Sequence, residues 1–222
     1  MVCSLWLLSA GVLAVVGGVL VGGIQVWMRE KSYVFTPEDL ASITTDVLNE
    51  TPGGGHDEVF GAVEAVLRDR YPAHILPPSQ MEWIFINAGG WMGSFYLLHA
   101  SLTEYVLFFG TAVDTSGHSG RYWANVSDTV ISGEFRQWKE GTTESVVYVR
   151  GDTLLHQVGE AAAIQWSSGT WMVEYGRGFI PSTLGFALSE TVLCTQDLYL
   201  LYRTLRIYTV ALLQEMWYNG NF

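Results

Sequence analysis

The longest apolar run without a charge lies near the N-terminus, from Leu5 to Met28, and Arg29 ends it. As a helix this run would be about 36 Å long, which is enough to cross a hydrocarbon core of about 30 Å. Trp6 and Trp27 lie near its two ends, where interfacial aromatic side chains are common. The pattern predicts a transmembrane helix and its flank over residues 1–32.

The residues around this run favour a retained span over the alternative, a cleaved signal peptide. No base precedes the apolar residues, and the run ends in bulky residues instead of a small-residue cleavage site. Arg29 and Lys31 follow the run, which places the body of the protein in the cytosol by the positive-inside rule. We therefore expect no glycan on the sequons at Asn49 and Asn125.

Residues 33–222 are predicted to form one domain, and both of its ends have helical spacing. Thr36 followed by Pro37 is a typical helix start, and the apolar residues from Asp57 to Arg70 recur at helical intervals. The C-terminal part, residues 182–218, predicts two amphipathic helices because charges interrupt it too often for a membrane span. These helices either pack as core or lie on the membrane surface.

Between the helical parts, the pattern changes to short β-branched and aromatic runs separated by turn residues. The uncharged run Trp83–Thr103 belongs to this part, since its glycines and polar residues suit buried sheet better than a second span. About seven short strands at this spacing predict a barrel or a jelly roll. The strand-like runs are residues 83–86, 105–109, 122–131, 145–149, 153–156, 163–166 and 171–175.

Composition excludes some classes of function. The chain has 22 acidic and 11 basic residues and a net charge of −11, which argues against nucleic acid as a partner. The charge fits a solubilising surface or, less directly, cationic ligands. The two cysteines form neither a disulfide framework nor a metal motif.

The candidate chemistry is a pair of carboxylates in apolar strands. Glu174 lies among Trp, Met, Val and Tyr residues, and alternation places Met172 and Glu174 on one face. Asp128 is a second acid in a strand-like run. If both acids face a dry interior, they must share a proton or bind a cation. Glu104 is on the opposite face from Tyr105 and is interpreted as structural.

Other catalytic and metal chemistries lack their motifs. His74, His99, His118 and His156 are dispersed and no His-x-His pair occurs, so we predict no metal site and no cofactor. Neither a nucleophile elbow nor a phosphate-binding loop is present.

An aromatic and apolar set surrounds the two acids in the sequence pattern. Such residues form core more often than pocket, but an unpaired acid among them favours a pocket. The set comprises Trp91, Tyr105, Leu107, Phe109, Tyr122, Trp166, Met172, Thr183 and Leu184.

Four segments carry a resemblance to a known family: residues 87–93, 117–123, 127–129 and 171–183. They resemble the family that the sigma-1 receptor shares with the fungal sterol delta-8/delta-7 isomerases. The resemblance extends over nearly the whole chain from Tyr33. It implies a cupin-like β-barrel, so the expected fold class is mainly β with flanking helices (α+β).

The resemblance also implies roles for individual residues. Glu174 would pair with a ligand ammonium, Asp128 would be the acid paired with Glu174, and Tyr105 would steady Glu174. Ile180 and Tyr208 would join the residues around the ligand, together with Trp91, Phe109, Trp166 and Leu184. The turn with Gly89, Gly90 and Gly93 would lie at the subunit contact of a homotrimer.

The function implied is that of a membrane receptor and chaperone, not of an enzyme. It would bind amphiphilic cationic amines, steroids or sterols and sphingoid lipids, and would modulate ion channels, calcium release channels and lipid transport. It would reside in the endoplasmic reticulum membrane and the nuclear envelope, with lipid droplets and plasma-membrane contacts as further sites. The alternative is a sterol delta-8/delta-7 isomerase that uses the Asp128–Glu174 pair.

Overall fold

The computed structural model describes residues 2–218 and 220, and the side chains of residues 11–217 and 220. The chain divides into two compact units, one up to Val34 and one from Phe35 onward. The first unit consists mainly of helix α1 (Val2–Glu30). Within the described residues, its segment Gly11–Glu30 is the one helix long and apolar enough to cross a membrane.

The second unit begins with two helices that the sequence predicts. Helix α2 (Pro37–Glu50) begins at the expected cap, because the Thr36 hydroxyl accepts a hydrogen bond from the Asp39 amide at 3.1 Å. Helix α3 (His56–Arg70) follows after a glycine-rich loop. Each helix buries one apolar face, and both predictions are confirmed.

Ten strands of the described chain form two antiparallel sheets. The six-stranded sheet has the order β1-β2-β3-β10-β5-β8, and the four-stranded sheet has the order β4-β9-β6-β7. The strands are β1 (Trp83–Ala88), β2 (Trp91–Ala100), β3 (Glu104–Thr111), β4 (Thr115–His118), β5 (Ala124–Ser132), β6 (Glu134–Lys139), β7 (Val146–Val149), β8 (Thr153–His156), β9 (Ala162–Trp166) and β10 (Thr170–Gly178).

Seven of these strands correspond to the seven predicted runs, although β5 and β7 begin two residues and one residue after the start of their runs. The uncharged run Trp83–Thr103 is mainly sheet, as expected. The sequence pattern did not predict β2, β4 and β6 as separate strands. Aromatic side chains connect the two sheets, since the rings of Trp91 on β2 and Trp166 on β9 are 5.3 Å apart. The prediction of a mainly β domain with flanking helices is confirmed.

Two helices form the C-terminal part, as predicted. Helix α4 (Pro181–Glu190) continues into a π-helical turn over residues 191–195, and α5 (Leu198–Tyr218) follows. Gln196 adopts a left-handed backbone (φ 53°), which separates the π-helical turn from α5. Helix α5 buries Ile207 and Ala211 but exposes Tyr199.

The outer face of β10 fixes the start of this unit. The Tyr175 hydroxyl donates to the Phe35 carbonyl at 2.9 Å and lies 3.1 Å from Glu104 Oε2. Glu104 Oε2 also accepts from the Phe35 amide at 3.3 Å, and the side chain is fully buried. The interpretation of Glu104 as structural is confirmed.

Candidate ligand-binding site

Two neighbouring strands place the candidate acids opposite each other. Strand β10 pairs with β5 in a register that sets Glu174 directly against Asp128. Directly opposed residues in an antiparallel pair have Cβ atoms about 4.5–5.5 Å apart, so the two carboxyl groups share one surface. Asp128 is only 7% exposed, and Glu174 is half-buried. The acids predicted from separate apolar strands do meet.

A tyrosine from the other neighbour of β10 reaches Glu174. Tyr105 on β3 pairs with Gly176 in the register, and its hydroxyl donates to Glu174 Oε1 at 2.7 Å. A Cβ atom at Gly176 would lie 2.1 Å from the Tyr105 ring. The glycine therefore provides the space through which the Tyr105 ring crosses β10 to the carboxylate.

Burial changes the protonation of both acids. Burial raises the pKa of Asp128 well above its ordinary value, and the negative charge of Glu174 raises it further. Burial also raises the pKa of Glu174, to about 6, although the hydrogen bond from Tyr105 opposes the rise. Asp128 therefore holds the proton of the pair near neutral pH, and Glu174 carries the negative charge.

The pair lies in an apolar cavity of about 160 Å³ between the two sheets and the C-terminal helices. Its wall includes neither lysine nor arginine among the residues that the structure describes. His156 is the one histidine among these lining residues, and burial lowers its pKa, which favours the neutral ring. The described wall thus offers Glu174 a hydrogen bond but no opposite charge.

Most residues predicted for the site line this cavity. They are Trp91, Tyr105, Leu107, Phe109, Tyr122, Asp128, Trp166, Glu174, Thr183, Leu184 and Tyr208. Met172 and Ile180 do not line it. Each is 1% exposed and belongs to the surrounding core. Met172 precedes Glu174 on the same strand face, but an irregular register between β10 and β5 begins there.

Several lining residues were not predicted, and some of them are polar. Ser119, Gln137 and His156 form a hydrogen-bonded polar corner, in which Gln137 Nε2 is 3.4 Å from His156 Nδ1. Leu154 and His156 alternate on β8, so strand periodicity would have placed both on one face. No comparable signal marks Gln137, because β6 itself was not predicted.

Two of the three glycines predicted for a subunit contact, Gly89 and Gly93, are tightly packed within this chain. Gly89 and Gly90 form the β1–β2 turn with positive φ, and a Cβ at Gly89 would lie 2.4 Å from the His118 carbonyl oxygen. Gly93 packs against the ring of Phe109. Their role between subunits stays a prediction.

The remaining histidines lie outside the cavity wall. His118 Nδ1 accepts a hydrogen bond from the Gly120 amide at 2.9 Å. His74 and His99, which are distant in sequence, come together with Glu215 of α5. His99 is a core residue and His74 is part-exposed, as expected, but their proximity could not be predicted from their positions in the sequence.

Comparison with known proteins assigns the chain to a family. A family model described as "ERG2 and Sigma1 receptor like protein" matches residues 11–219. The sigma non-opioid intracellular receptor 1 of Danio rerio is 60% identical over 192 residues, which cover 86% of this chain and 85% of that protein. The C-8 sterol isomerase erg2 of Aspergillus fumigatus is 34% identical over 178 residues, or 80% of this chain and 74% of that protein.

Among solved structures, an RmlC-like cupin from Shewanella frigidimarina is similar, with a TM-score of 0.40 and 15% identity. It covers 47% of this chain and 90% of its own. The fold assignment rests on the sheet topology above, and the family assignment rests on the sequence matches. The chain belongs to the family of ERG2 and sigma-1 receptor like proteins.

Proposed function

We propose that this protein is a ligand-binding membrane receptor whose cavity takes amphiphilic amines and sterol- or sphingoid-like lipids. One observation supports this most: the carboxyl group of Glu174 faces an apolar cavity whose described wall contains neither lysine nor arginine. A carboxylate held out of water is unfavourable unless a partner compensates its charge. The ammonium of an amine is such a partner, and its apolar arms match the aromatic wall.

In this proposal, the polar residues of the cavity bind the charge of the ligand and the aromatic and aliphatic residues contact its apolar part. Glu174 would bind the ammonium, Tyr105 would hold the carboxylate in place, and protonated Asp128 would avoid a second negative charge. Burial of apolar ligand surface contributes about 25 cal/mol per Å². Trp91, Phe109, Trp166, Leu184 and Tyr208 would provide that surface.

The proposal is tested with Glu174→Gln, which keeps the size of the side chain and an acceptor for Tyr105. Removal of one partner of a buried ion pair costs roughly 3–5 kcal/mol, so the amine Kd should rise by at least about a hundredfold. Binding of a hydrophobic tertiary amine is measured with purified full-length protein in detergent. Glu144→Gln, the same change at an exposed acid, serves as the control.

A carbon isostere of the amine separates charge from shape in the same experiment. It should bind wild type weakly and should not distinguish Glu174→Gln from wild type. Undiminished amine affinity in Glu174→Gln protein that retains wild-type circular dichroism refutes the role of Glu174.

We further propose that residues 1–32 anchor a body formed by residues 33–222. The apolar helix α1 supports the anchor, and the exposed Leu198, Tyr199 and Tyr202 of α5 support membrane-adjacent C-terminal helices. Protease treatment of sealed microsomes tests whether the body is cytosolic. A cytosolic body should be digested without detergent.

Location, assembly and partners follow from the family resemblance. We propose the endoplasmic reticulum membrane and nuclear envelope, a homotrimer with Gly89–Gly93 at its contact, and a chaperone role toward calcium channels and lipid transport. Microscopy of the tagged chain tests the location, and native mass spectrometry in detergent tests the trimer. Calcium release in cells lacking the protein, with and without re-expression, tests the channel role.

The second candidate function is a sterol isomerase, and the protonated Asp128 favours it. An acid held protonated in an apolar cavity could deliver a proton to a sterol double bond, and Glu174 could recover one. The 34% identity to the Aspergillus fumigatus isomerase supports the comparison. The 60% identity to the Danio rerio receptor favours the receptor proposal. Incubation of purified protein with a delta-8 sterol distinguishes the two proposals. The receptor proposal predicts that no isomerised sterol forms.

A further inference from the structure

A cluster of two histidines and one glutamate lies outside the cavity wall. His74 is in the connection between α3 and β1, His99 is on β2 and Glu215 is on α5. One ring nitrogen of each histidine and one carboxylate oxygen lie within 4.8 Å of one another. His74 Nδ1 is 2.9 Å from Glu215 Oε2, and His99 Nδ1 is 3.6 Å from Glu215 Oε1. Three parts of the chain thus converge on one point.

The cluster is buried but has one accessible side. The side chains of His99 and Glu215 are 0% and 1% exposed, whereas that of His74 is 26% exposed. A metal ion could therefore enter beside His74, and water could complete its coordination there. Two imidazoles and one carboxylate are a known protein ligand set for zinc, with an open fourth position.

The hydrogen bonds of His99 leave one of its ring nitrogens available to a metal ion. Its Nδ1 donates to the His74 carbonyl oxygen at 2.9 Å, and its Nε2 is buried without a hydrogen-bond partner in the described part of the chain. Because Nδ1 carries the proton of the ring, Nε2 keeps its lone pair, and neutral imidazole is the form that binds metals. A buried nitrogen without a partner is unfavourable, and metal ligation is one way to satisfy the ring.

The electrostatic surroundings also favour a cation. Glu215 contributes a carboxylate to the cluster, and its side chain is only 1% exposed. A divalent ion would add an opposite charge beside this buried carboxyl group.

We propose that His74, His99 and Glu215 form a binding site for Zn²⁺ that fastens α5 to β2. Tetrahedral zinc ligands lie about 2.0–2.2 Å from the metal and therefore about 3.3–3.6 Å from one another, so binding would draw together atoms that now lie within 4.8 Å. The mixed nitrogen and oxygen set selects zinc or cobalt over magnesium and calcium, which prefer oxygen alone.

The site would act on the ligand cavity through α5. Tyr208 of this helix lines the cavity, and Glu215 lies seven residues later, about 10 Å along the helix axis. Zn²⁺ would therefore slow the release of a bound amine by holding α5 in place. This consequence rests on the proposed receptor function, whereas metal binding itself does not.

The experiment uses the full chain without a polyhistidine tag, purified in detergent and stripped with EDTA. Titration calorimetry with Zn²⁺ should give one site per chain. His74→Ala and Glu215→Gln should each raise the Kd by more than about tenfold, since each removes or weakens a ligand. His56→Ala, at another part-exposed histidine outside the cluster, should leave the Kd unchanged.

Cobalt provides a readout that does not depend on the variants folding. Co²⁺ in wild type should produce the visible absorption bands of a four-coordinate nitrogen and oxygen site, and Zn²⁺ should abolish them. No binding at millimolar Zn²⁺, or equal affinity in wild type, His74→Ala and Glu215→Gln, overturns the site.

Amine dissociation is then measured with and without Zn²⁺ on the same preparation. Slower dissociation with Zn²⁺, lost in Glu215→Gln, supports the coupling. Zinc binding with unchanged amine dissociation refutes the coupling but not the site. Zinc binding without any amine binding refutes the receptor function alone.

Discussion

Glu174 and Asp128 share a cavity, but their carboxyl groups differ in hydrogen bonding. Glu174 accepts a 2.7 Å hydrogen bond from Tyr105, whereas Asp128 Oδ1 is buried without a partner among the described residues. A donor to a carboxylate stabilises its charged form. The proton therefore stays on Asp128 and the charge on Glu174, which gives the two acids separate roles.

Amine binding should consequently depend on pH. The pKa of Glu174 is raised to about 6, so amine affinity should fall as the pH falls through about 6 and the carboxylate becomes neutral.

The stability of the protein without bound amine should change with pH in the opposite direction. A raised pKa means that the folded state binds the proton more tightly, so the stability contribution of Glu174 decreases as the pH rises through the same value. Equilibrium amine binding and thermal unfolding, measured across this pH range, check both trends, and a flat affinity profile contradicts the assignment.

The hydroxyl of Tyr105 should set the midpoint of this titration. Tyr105→Phe removes the donor that opposes the rise in the Glu174 pKa, so the midpoint of amine binding should move to higher pH. Tyr122→Phe is the control, because the Tyr122 hydroxyl donates to the Ser119 carbonyl and not to Glu174. An unchanged midpoint in Tyr105→Phe would show that this hydrogen bond does not control the charge.

Single residues could be predicted from the sequence where their chemistry contrasted with their neighbours. Glu174 and Asp128 are predictable because an acid in an apolar strand is unusual. Gln137 and Ser119 line the cavity without such contrast, since polar residues of that kind also occur in turns and on surfaces. Met172 had the right strand face, but alternation does not reveal whether an inward side chain reaches a cavity or fills the core.

At the scale of elements, β10 connects the cavity to the rest of the body. It pairs with β3 and β5 and presents Glu174 to the cavity, while Tyr175 contacts the segment before α2. The Tyr105 ring crosses β10 at Gly176, where no side chain could fit without movement. Close packing at this crossing orients the hydroxyl of Tyr105.

Gly176→Ala should therefore disturb both stability and binding. The added methyl group would meet the Tyr105 ring, and overpacking of this kind costs typically about 1–3 kcal/mol. Chemical denaturation should show this loss, and amine affinity should fall because the ring must shift. Gly185→Ala in α4 is the matched control, since nothing lies within 4 Å of its new Cβ. If the two variants have equal stability, the crossing is not tightly packed.

The helices and most strands could be predicted because their periodicity was strong. Strand β6 was missed because Gln137 is buried at 2% exposure while the neighbouring Trp138 is 51% exposed, which reverses the usual pattern. Strand β4 is a four-residue strand that contains Gly117, so it looked like a turn. Strand β2 was recognised only as buried sheet, because small and polar residues interrupt its apolar ones.

At the scale of the whole second unit, the sites depend on contacts between distant parts of the chain. The wall of the cavity comes from both sheets and from α4 and α5. The cluster of His74, His99 and Glu215 likewise combines segments that no local spacing relates. Such contacts are set by tertiary packing, so the sequence could indicate the acids of the cavity but not this cluster.

Helix α5 supplies Thr204 and Tyr208 to the cavity wall and buries Ile207 and Ala211. A chain that stops at Gln196 would lack α5, so the apolar wall of the cavity would be exposed to water. The truncated protein should bind a hydrophobic dye strongly, and protease should digest it far faster than the full chain. Protease resistance without dye binding would contradict this prediction. In a cell, a protein truncated by such a late stop codon should be degraded by quality control. Cells that carry the stop codon should then lack the protein instead of having a weakened form.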